Sequence, residues 1–267
     1  MIYKFINILI KKKFNIIIRL IKYLYLLKLK LAKNLFHFSV IRSIYGVSFF
    51  ANYEDKTFKY YICGNYDNFF WNKLTNINYK FIFLDIGANQ GLYTICAGRN
   101  SYNIATYAFE PVEKTYNFLQ KNISLNNLSH KCLLFQKAIS DNTGSAQIVV
   151  KKNHSGSASL MAHKNIDPNL TERSTVNTID GNKLYTLIKP EYISLIVKID
   201  VEGLEPIVLK QLISSKLIEN IKEIFFEAHY ELIDIQEIEE ILKKVGFKRF
   251  KRIKTGGSHY DILATKD

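Results

Sequence analysis

FIFLDIGANQGLY, residues 81–93, is an apolar run that ends in an acidic residue and two glycines just before a helical segment begins. A strand that feeds a glycine-containing turn and then a helix is how a Rossmann-type sheet receives a nucleoside at its carboxyl edge. Gly87 and Gly91 permit a tight turn and close backbone approach, and the N–H groups at the helix start face whatever binds there. Asp85, at the strand end, is placed to accept a hydrogen bond or answer a positive charge.

The next strand adds to this reading. IATYAF, residues 104–109, runs into Glu110 and Pro111. An acidic side chain about twenty residues beyond the glycines reaches the ribose hydroxyls of a nucleoside lying across the sheet. Pro111 lacks an N–H and holds an extended exit, which fixes where Glu110 points. The glycine spacing is G-x-x-x-G, whereas a pyrophosphate loop carries G-x-G-x-x-G. The pair of strand exits therefore suits S-adenosylmethionine.

Working outward, 267 residues suffice for one substantial α/β domain with its own core, and no glycine- or proline-rich linker divides them. Cys63, Cys96 and Cys132 are widely spaced and odd in number. They imply a reducing, cytoplasmic setting without a disulfide framework or a clustered zinc site. Charge is concentrated: ten of the 37 Lys and Arg residues lie in residues 1–42, and all 24 acidic residues come at Glu54 or later. The first 42 residues thus carry +10 of the net +13. On a helical projection Lys4, Lys11, Lys12, Arg19, Lys22, Lys30 and Lys33 fall within roughly a 100° arc beside a broad apolar surface. Such a helix suits an anionic membrane surface, reached through residues 1–36, or packs on the catalytic domain or in a homodimer. Nucleic-acid contact would leave its apolar area unused. No charge-free run is long enough to span a bilayer, and no small-residue cleavage site marks a secretory peptide. The organisation expected is a basic amphipathic helical region over 1–45 and a catalytic domain over 46–267, with an insertion over 144–178 across the active-site edge.

Past the second strand, 113–126 has helical periodicity, and CLLFQKAI, residues 132–139, reads as a third strand whose exit places Ala138 and Asp141 beside an adenine. ISLIVKID, residues 193–200, is the strongest central strand and delivers Asp200, with Val201, Glu202 and Gly203 leading into a helix over 203–213. Lys198 and Asp200 share one strand face, and a lysine inside so apolar a run needs Asp200 or Glu202 as partner. The fifth strand, 221–227, ends in Glu227, Ala228 and His229, so Glu227 and His229 also share a face. A helix over 233–244 and an antiparallel hairpin built from 247–253 and 259–265 complete the sheet.

Taken together, LDIGANQGLY (84–93), FEP (109–111), KAISD (137–141), GSASL (156–160), TID (178–180) and KIDVEGLE (198–205) followed by Val208 and Leu209 resemble the FkbM family of S-adenosylmethionine-dependent methyltransferases. The resemblance covers residues 80–230 well and the flanks weakly. Ile179 stands where such proteins usually have leucine, a conservative change, and the basic N-terminus has no counterpart in the likeness. What it implies is a Rossmann-like seven-stranded methyltransferase sheet, mostly parallel with one antiparallel edge strand. Asp85, Gly87, Asn89 and Gly91 would line the methionine side, Glu110 the ribose, and Ala138 to Asp141 the adenine. Relatives of this kind methylate hydroxyl oxygens of sugars or other natural products.

Methyl transfer to oxygen requires an acceptor held in line with the sulfonium methyl and a group that takes its proton. The candidates are His229, Asp200, Glu202 and Glu227, with Lys198 beside them, and His229 is favoured because a neutral imidazole accepts a proton near neutral pH. Asp200 with Glu227 would instead hold a divalent cation if the reaction is metal-assisted. A nucleic-acid methyltransferase is the competing reading within the same chemistry, disfavoured by the acidic exit of the fourth strand. A cofactor-free, membrane-associated module of the same fold is the competing reading outside it.

Overall fold

A computed structural model describes residues 2–66, 68–159, 168–188, 190, 193–229, 234–256 and 259–266, with only the backbone described for 2–15, 168, 229, 254–256 and 259. Two compact units divide the chain, residues 1–66 and 67–267.

In the first unit, α1 (Ile2–Leu31) runs on into a single π-helical turn over Ala32–Phe36 and stops at His37, whose backbone is left-handed. A short hairpin, β1 (Val40–Arg42) and β2 (Ser48–Phe50), precedes α2 (Lys56–Cys63). Asp55 caps α2 by accepting from the Phe58 N–H at 2.8 Å. Ile41, Phe49, Phe58 and Ile62 are buried with Leu29 and Ala32 of the helical segment, so one narrow side of that segment is packed.

The second unit begins with α3 (Asn68–Thr75) and then alternates strand and helix: β3 (Phe81–Ile86), α4 (Leu92–Arg99), β4 (Asn103–Phe109), α5 (Glu113–Leu125) and β5 (Cys132–Phe135). β6 (Ala138–Ile139), β7 (Gly144–Lys151), β8 (His154–Ser159) and β9 (Thr171–Ile179) follow. α6 (Gly181–Ile188), β10 (Ser194–Ile199), α7 (Glu205–Ser214), β11 (Ile221–His229), α8 (Ile235–Lys244), β12 (Arg249–Gly256) and β13 (His259–Thr265) complete it.

Seven strands among the described residues form one sheet in the order β12-β13-β11-β10-β3-β4-β5. β11, β10, β3, β4 and β5 run parallel, and β13 inserts antiparallel between β11 and β12. This is the Rossmann-like sheet expected, with the C-terminal hairpin at its edge and the antiparallel strand one place in. All six residues of β3 are buried, as they must be for a central strand covered on both faces. One face packs Ile82, Leu84, Ile86, Val197 and Ile199 against Leu184, Val208 and Leu212. On the other, Phe70 of α3 stacks on Phe225 at 4.1 Å between centroids.

Strand order reverses between β3 and β10, and the crevice beyond their carboxyl ends is where open α/β sheets bind ligands. The run over 132–139 does not form one strand. It leaves the main sheet after Phe135, and β6 instead joins β9 and β7 in a second, four-stranded sheet of order β6-β9-β7-β8. Polar Gln136 and Lys137 mark the break, because the chain there belongs to neither ladder. The 144–178 segment is thus a sheet of its own in its described part, and residues 160–167 lie outside the described residues.

Candidate active site

Register explains the centre of the site. Lys198 on β10 lies opposite Asp85 on β3, so two oppositely charged side chains share one face at the switch point. Lys198 Nζ is 3.0 Å from Asp200 Oδ2 and 4.0 Å from Asp85 Oδ1, and it sits 5.3 Å above the Tyr93 ring. Burial pulls the Lys198 ammonium down, but Asp200 and Asp85 more than offset it, and the net shift is upward. Lys198 therefore stays charged. Burial raises the Asp85 carboxyl, opposed by Lys198 and by the Thr94 hydroxyl, which donates to Asp85 Oδ2 at 2.6 Å. Asp85 Oδ1 accepts no hydrogen bond among the described residues, leaving a buried acceptor that suits a donor such as the ammonium of an amino-acid ligand.

The glycines serve the fold before they serve a ligand. Gly87 has φ +79, and a Cβ there would lie 1.9 Å from the Asp200 carbonyl oxygen. Gly91 has φ +96, and its Cβ would meet Leu119 Cδ1 of α5 at 2.7 Å. Only a residue without a side chain lets the β3 exit loop touch the β10 exit loop, which is also tied by Asp200 N–H to Ile86 O at 3.0 Å. Asn89, at φ +50, completes the turn.

Glu110 is 4% exposed and holds this turn from the side, accepting from the Asn89 N–H through Oε2 and from the Val112 N–H through Oε1, both at 3.0 Å. Burial, only partly countered by those two N–H groups, pushes its carboxyl up to about 7. Each carboxylate oxygen keeps a second lone pair, so Glu110 has acceptor capacity left for ribose hydroxyls. A consequence is testable with cofactor alone. The anionic acceptor is lost as pH falls through about 7, so affinity for S-adenosylmethionine is expected to rise with pH across that point and to lose this dependence in Glu110→Gln. Calorimetric titrations at several pH values check it, and parallel profiles for the two proteins would contradict it.

Across the Gly87–Asp200 contact lie the acidic residues. Carboxylate oxygens of Asp200, Glu202 and Glu227 all come within 4.8 Å of one another, each partly buried. β10 and β11 pair in parallel with Ile199 opposite Phe226, which sets their acidic exits side by side. Glu202 has a left-handed backbone at φ +51, and Gly203 follows at φ +100. His229 pairs with His259 through β11 and β13, while its side chain lies outside the described side chains.

Two features here were not read from the sequence. Glu205, fully buried at the start of α7, accepts from the Val201 N–H through Oε1 at 3.1 Å and from the Gly203 N–H through Oε2 at 2.9 Å. It holds the β10 exit as Glu110 holds the β3 exit, and burial likewise pushes it up to about 7. An acidic residue in the first turn of a helix was the visible signal. The second is the pair of bonds by which β8, inside the insertion expected across this edge, ties both exits together: Ser155 Oγ donates to Asn89 Oδ1 at 3.0 Å, and Ser159 Oγ donates to the Glu202 carbonyl at 2.8 Å. Of the two residues expected beside an adenine, Ala138 is half-buried and pairs with Thr178, while Asp141 is exposed and accepts from the Ser140 hydroxyl and the Asn142 amide.

The family model described as "Methyltransferase FkbM domain" matches residues 85–249. A search of curated proteins returns no match. Among solved structures, a methyltransferase FkbM from Methylobacillus flagellatus is 12% identical, with 71% of this chain and 45% of that chain covered and a TM-score of 0.49. M. capricolum TrmK with S-adenosyl-homocysteine is 14% identical over 74% of this chain and 68% of that one, with a TM-score of 0.45. aTrm5 in complex with tRNALeu is 11% identical over 84% and 51%, with a TM-score of 0.44. The last corrects one expectation. A matched structure holds tRNA, so the acidic exit of β10 gives no ground for calling nucleic acid an improbable partner. Local repulsion at the reacting end does not forbid phosphate contacts made elsewhere on a surface.

Proposed function

The chain belongs to the FkbM family of S-adenosylmethionine-dependent methyltransferases, and on that premise we propose that it methylates a hydroxyl oxygen of a sugar, glycan or related small molecule. The observation that carries this reading is the carboxylate trio of Asp200, Glu202 and Glu227, set beside the cofactor-side turn through the Gly87–Asp200 contact. A hydroxyl must lose its proton on methylation, and clustered carboxylates next to the reacting end supply acceptors for it.

In this reading the residues present fit the cofactor: Asp85, Gly87, Asn89 and Gly91 at its methionine end, Glu110 at its ribose, and the Ala138–Asp141 turn at its adenine. Bound there, it supplies a methyl group already activated by the sulfonium. The chain's own task is to hold the acceptor oxygen in line at roughly 3 Å and to receive its proton. Lys198 is proposed to fix Asp200 Oδ2 rather than to take a proton, since its ammonium stays charged. The proton passes to the His229 imidazole or to Glu227, two residues before it on the same strand. A divalent cation held by Asp200, Glu202 and Glu227 is the metal-assisted form of the reaction. The ammonium already paired with Asp200 would lower the affinity for it.

A nucleic-acid acceptor is the second reading, favoured by the net charge of +13. One experiment separates the two. The protein is incubated with methyl-deuterated cofactor and, in parallel, with hydroxyl-bearing sugars, lipid-linked glycans and RNA, and labelled products are sought by mass spectrometry. Label on a sugar oxygen is expected. Label confined to a nucleobase would replace the first reading with the second.

A further inference from the structure

Three sectors run along α1 and the turn after it. Leu29 and Ala32 are buried in the first unit. Next to them, at 3.6 residues per turn, comes a basic stripe of Lys22, Arg19 and Lys30. Beyond that stripe lies an uncovered apolar sector of Ile16, Leu20, Tyr23, Leu24, Leu27 and Leu31, of which Ile16 is 64% and Leu20 56% exposed. Single exposed apolar residues are ordinary, but a continuous stripe of them over more than four turns is a surface built to be covered.

We propose that this sector is seated in the interface of an anionic lipid bilayer, with the apolar stripe toward the acyl chains and the flanking lysines and arginine among the head groups. Charge selects the occupant. Residues 1–53 contain no acidic residue, so a second copy offering the same sector would bring two strongly basic surfaces together. A phosphate backbone would meet the basic stripe but leave the apolar stripe in water. An anionic bilayer satisfies both at once. No helix among the described residues is long and apolar enough to cross a membrane, which agrees with a helix lying in its surface. The inference holds whatever the methyl acceptor is, so its failure would leave the proposed reaction untouched.

The full chain is tested by co-sedimentation with vesicles of phosphatidylcholine alone and of phosphatidylcholine with phosphatidylglycerol. Pelleting with the anionic vesicles, little with the neutral ones and release by added salt are expected. In Leu20→Glu/Leu24→Glu, which alters two exposed positions and no buried one, binding is expected to fall roughly tenfold or more. Circular dichroism confirms that the variant is folded. Protein that stays in the supernatant with anionic vesicles at low salt overturns the proposal. So does a double variant that pellets like the parent. A lipid-free dimer split by the same substitutions, with no vesicle binding, assigns the sector to a second copy and also overturns it.

Discussion

Gly87→Ala is expected to cost the second unit several times more stability than Gly246→Ala. Both positions have positive φ, +79 and +96, so both substitutions force an L residue into the left-handed region, at about 1–2 kcal/mol. They differ in space. The nearest atom to a Cβ at Gly246 is Lys266 Cε at 4.0 Å, whereas at Gly87 it is the Asp200 carbonyl oxygen at 1.9 Å, with the carbonyl carbon at 2.9 Å. A backbone carbonyl cannot swing aside as a side chain does. The β3 and β10 exits must separate, which breaks the Asp200 N–H to Ile86 O bond at the site's centre. A total of roughly 4 kcal/mol or more is the expected outcome, in the range reserved for strain at a special backbone position in a packed core. Urea unfolding of the two variants measures it, and equal midpoints would show that the two exits are not in contact.

Glu205 carries the second large effect, and its size depends on pH. Removing the side chain in Glu205→Ala orphans the Val201 and Gly203 N–H groups, at roughly 1–3 kcal/mol for each that stays buried. It also frees the turn that presents Asp200 and Glu202, so turnover is expected to fall further than cofactor affinity. The carboxyl itself is raised from 4.5 to about 7 by burial. A group whose folded-state value is raised contributes stability that is fully present below its unfolded value and is lost as pH rises through the folded one. Stability is therefore expected to decline between about pH 4.5 and 7, by up to about 3 kcal/mol from this residue. Glu110, raised in the same way, adds to the slope. Glu205→Gln should flatten the decline without abolishing it. Melting temperatures across that range check this, and an unchanged slope in Glu205→Gln would mean that burial does not raise the Glu205 carboxyl.

Much of the frame was legible because local chemistry and topology agree there. Asp85 followed by two glycines, and the apolar run ending in Asp200, each mark a buried parallel strand and its functional exit within a dozen residues. The side-by-side placement of Asp200 and Glu227 follows from strand parity once two strands are neighbours. What was not legible depends on contacts between distant residues. The short elements just before β3 were not legible, since β1 and β2 are three residues each, too short to show an alternation, and α3 is fixed by the stacking of Phe70 on Phe225. The link from Ser155 to Asn89 spans 66 positions and joins two sheets. The role of Glu205 rests on the left-handed backbone of Glu202, which a glutamate rarely adopts and which composition does not announce. Gly87 was legible as a glycine that must be there, but the neighbour that demands it is the Asp200 carbonyl, over a hundred residues away.

The β3 exit, with Asp85 at its floor and Glu110 at its side, is expected to hold S-adenosylmethionine. Calorimetric titration of the intact protein with that cofactor tests it most directly, with Asp85→Ala and Glu110→Ala run alongside. One site per chain is expected, with affinity in each variant reduced by roughly 1–3 kcal/mol as a buried ligand group loses its partner. Absence of binding by the parent protein, or parent-like affinity in both variants, would remove the cofactor from this exit.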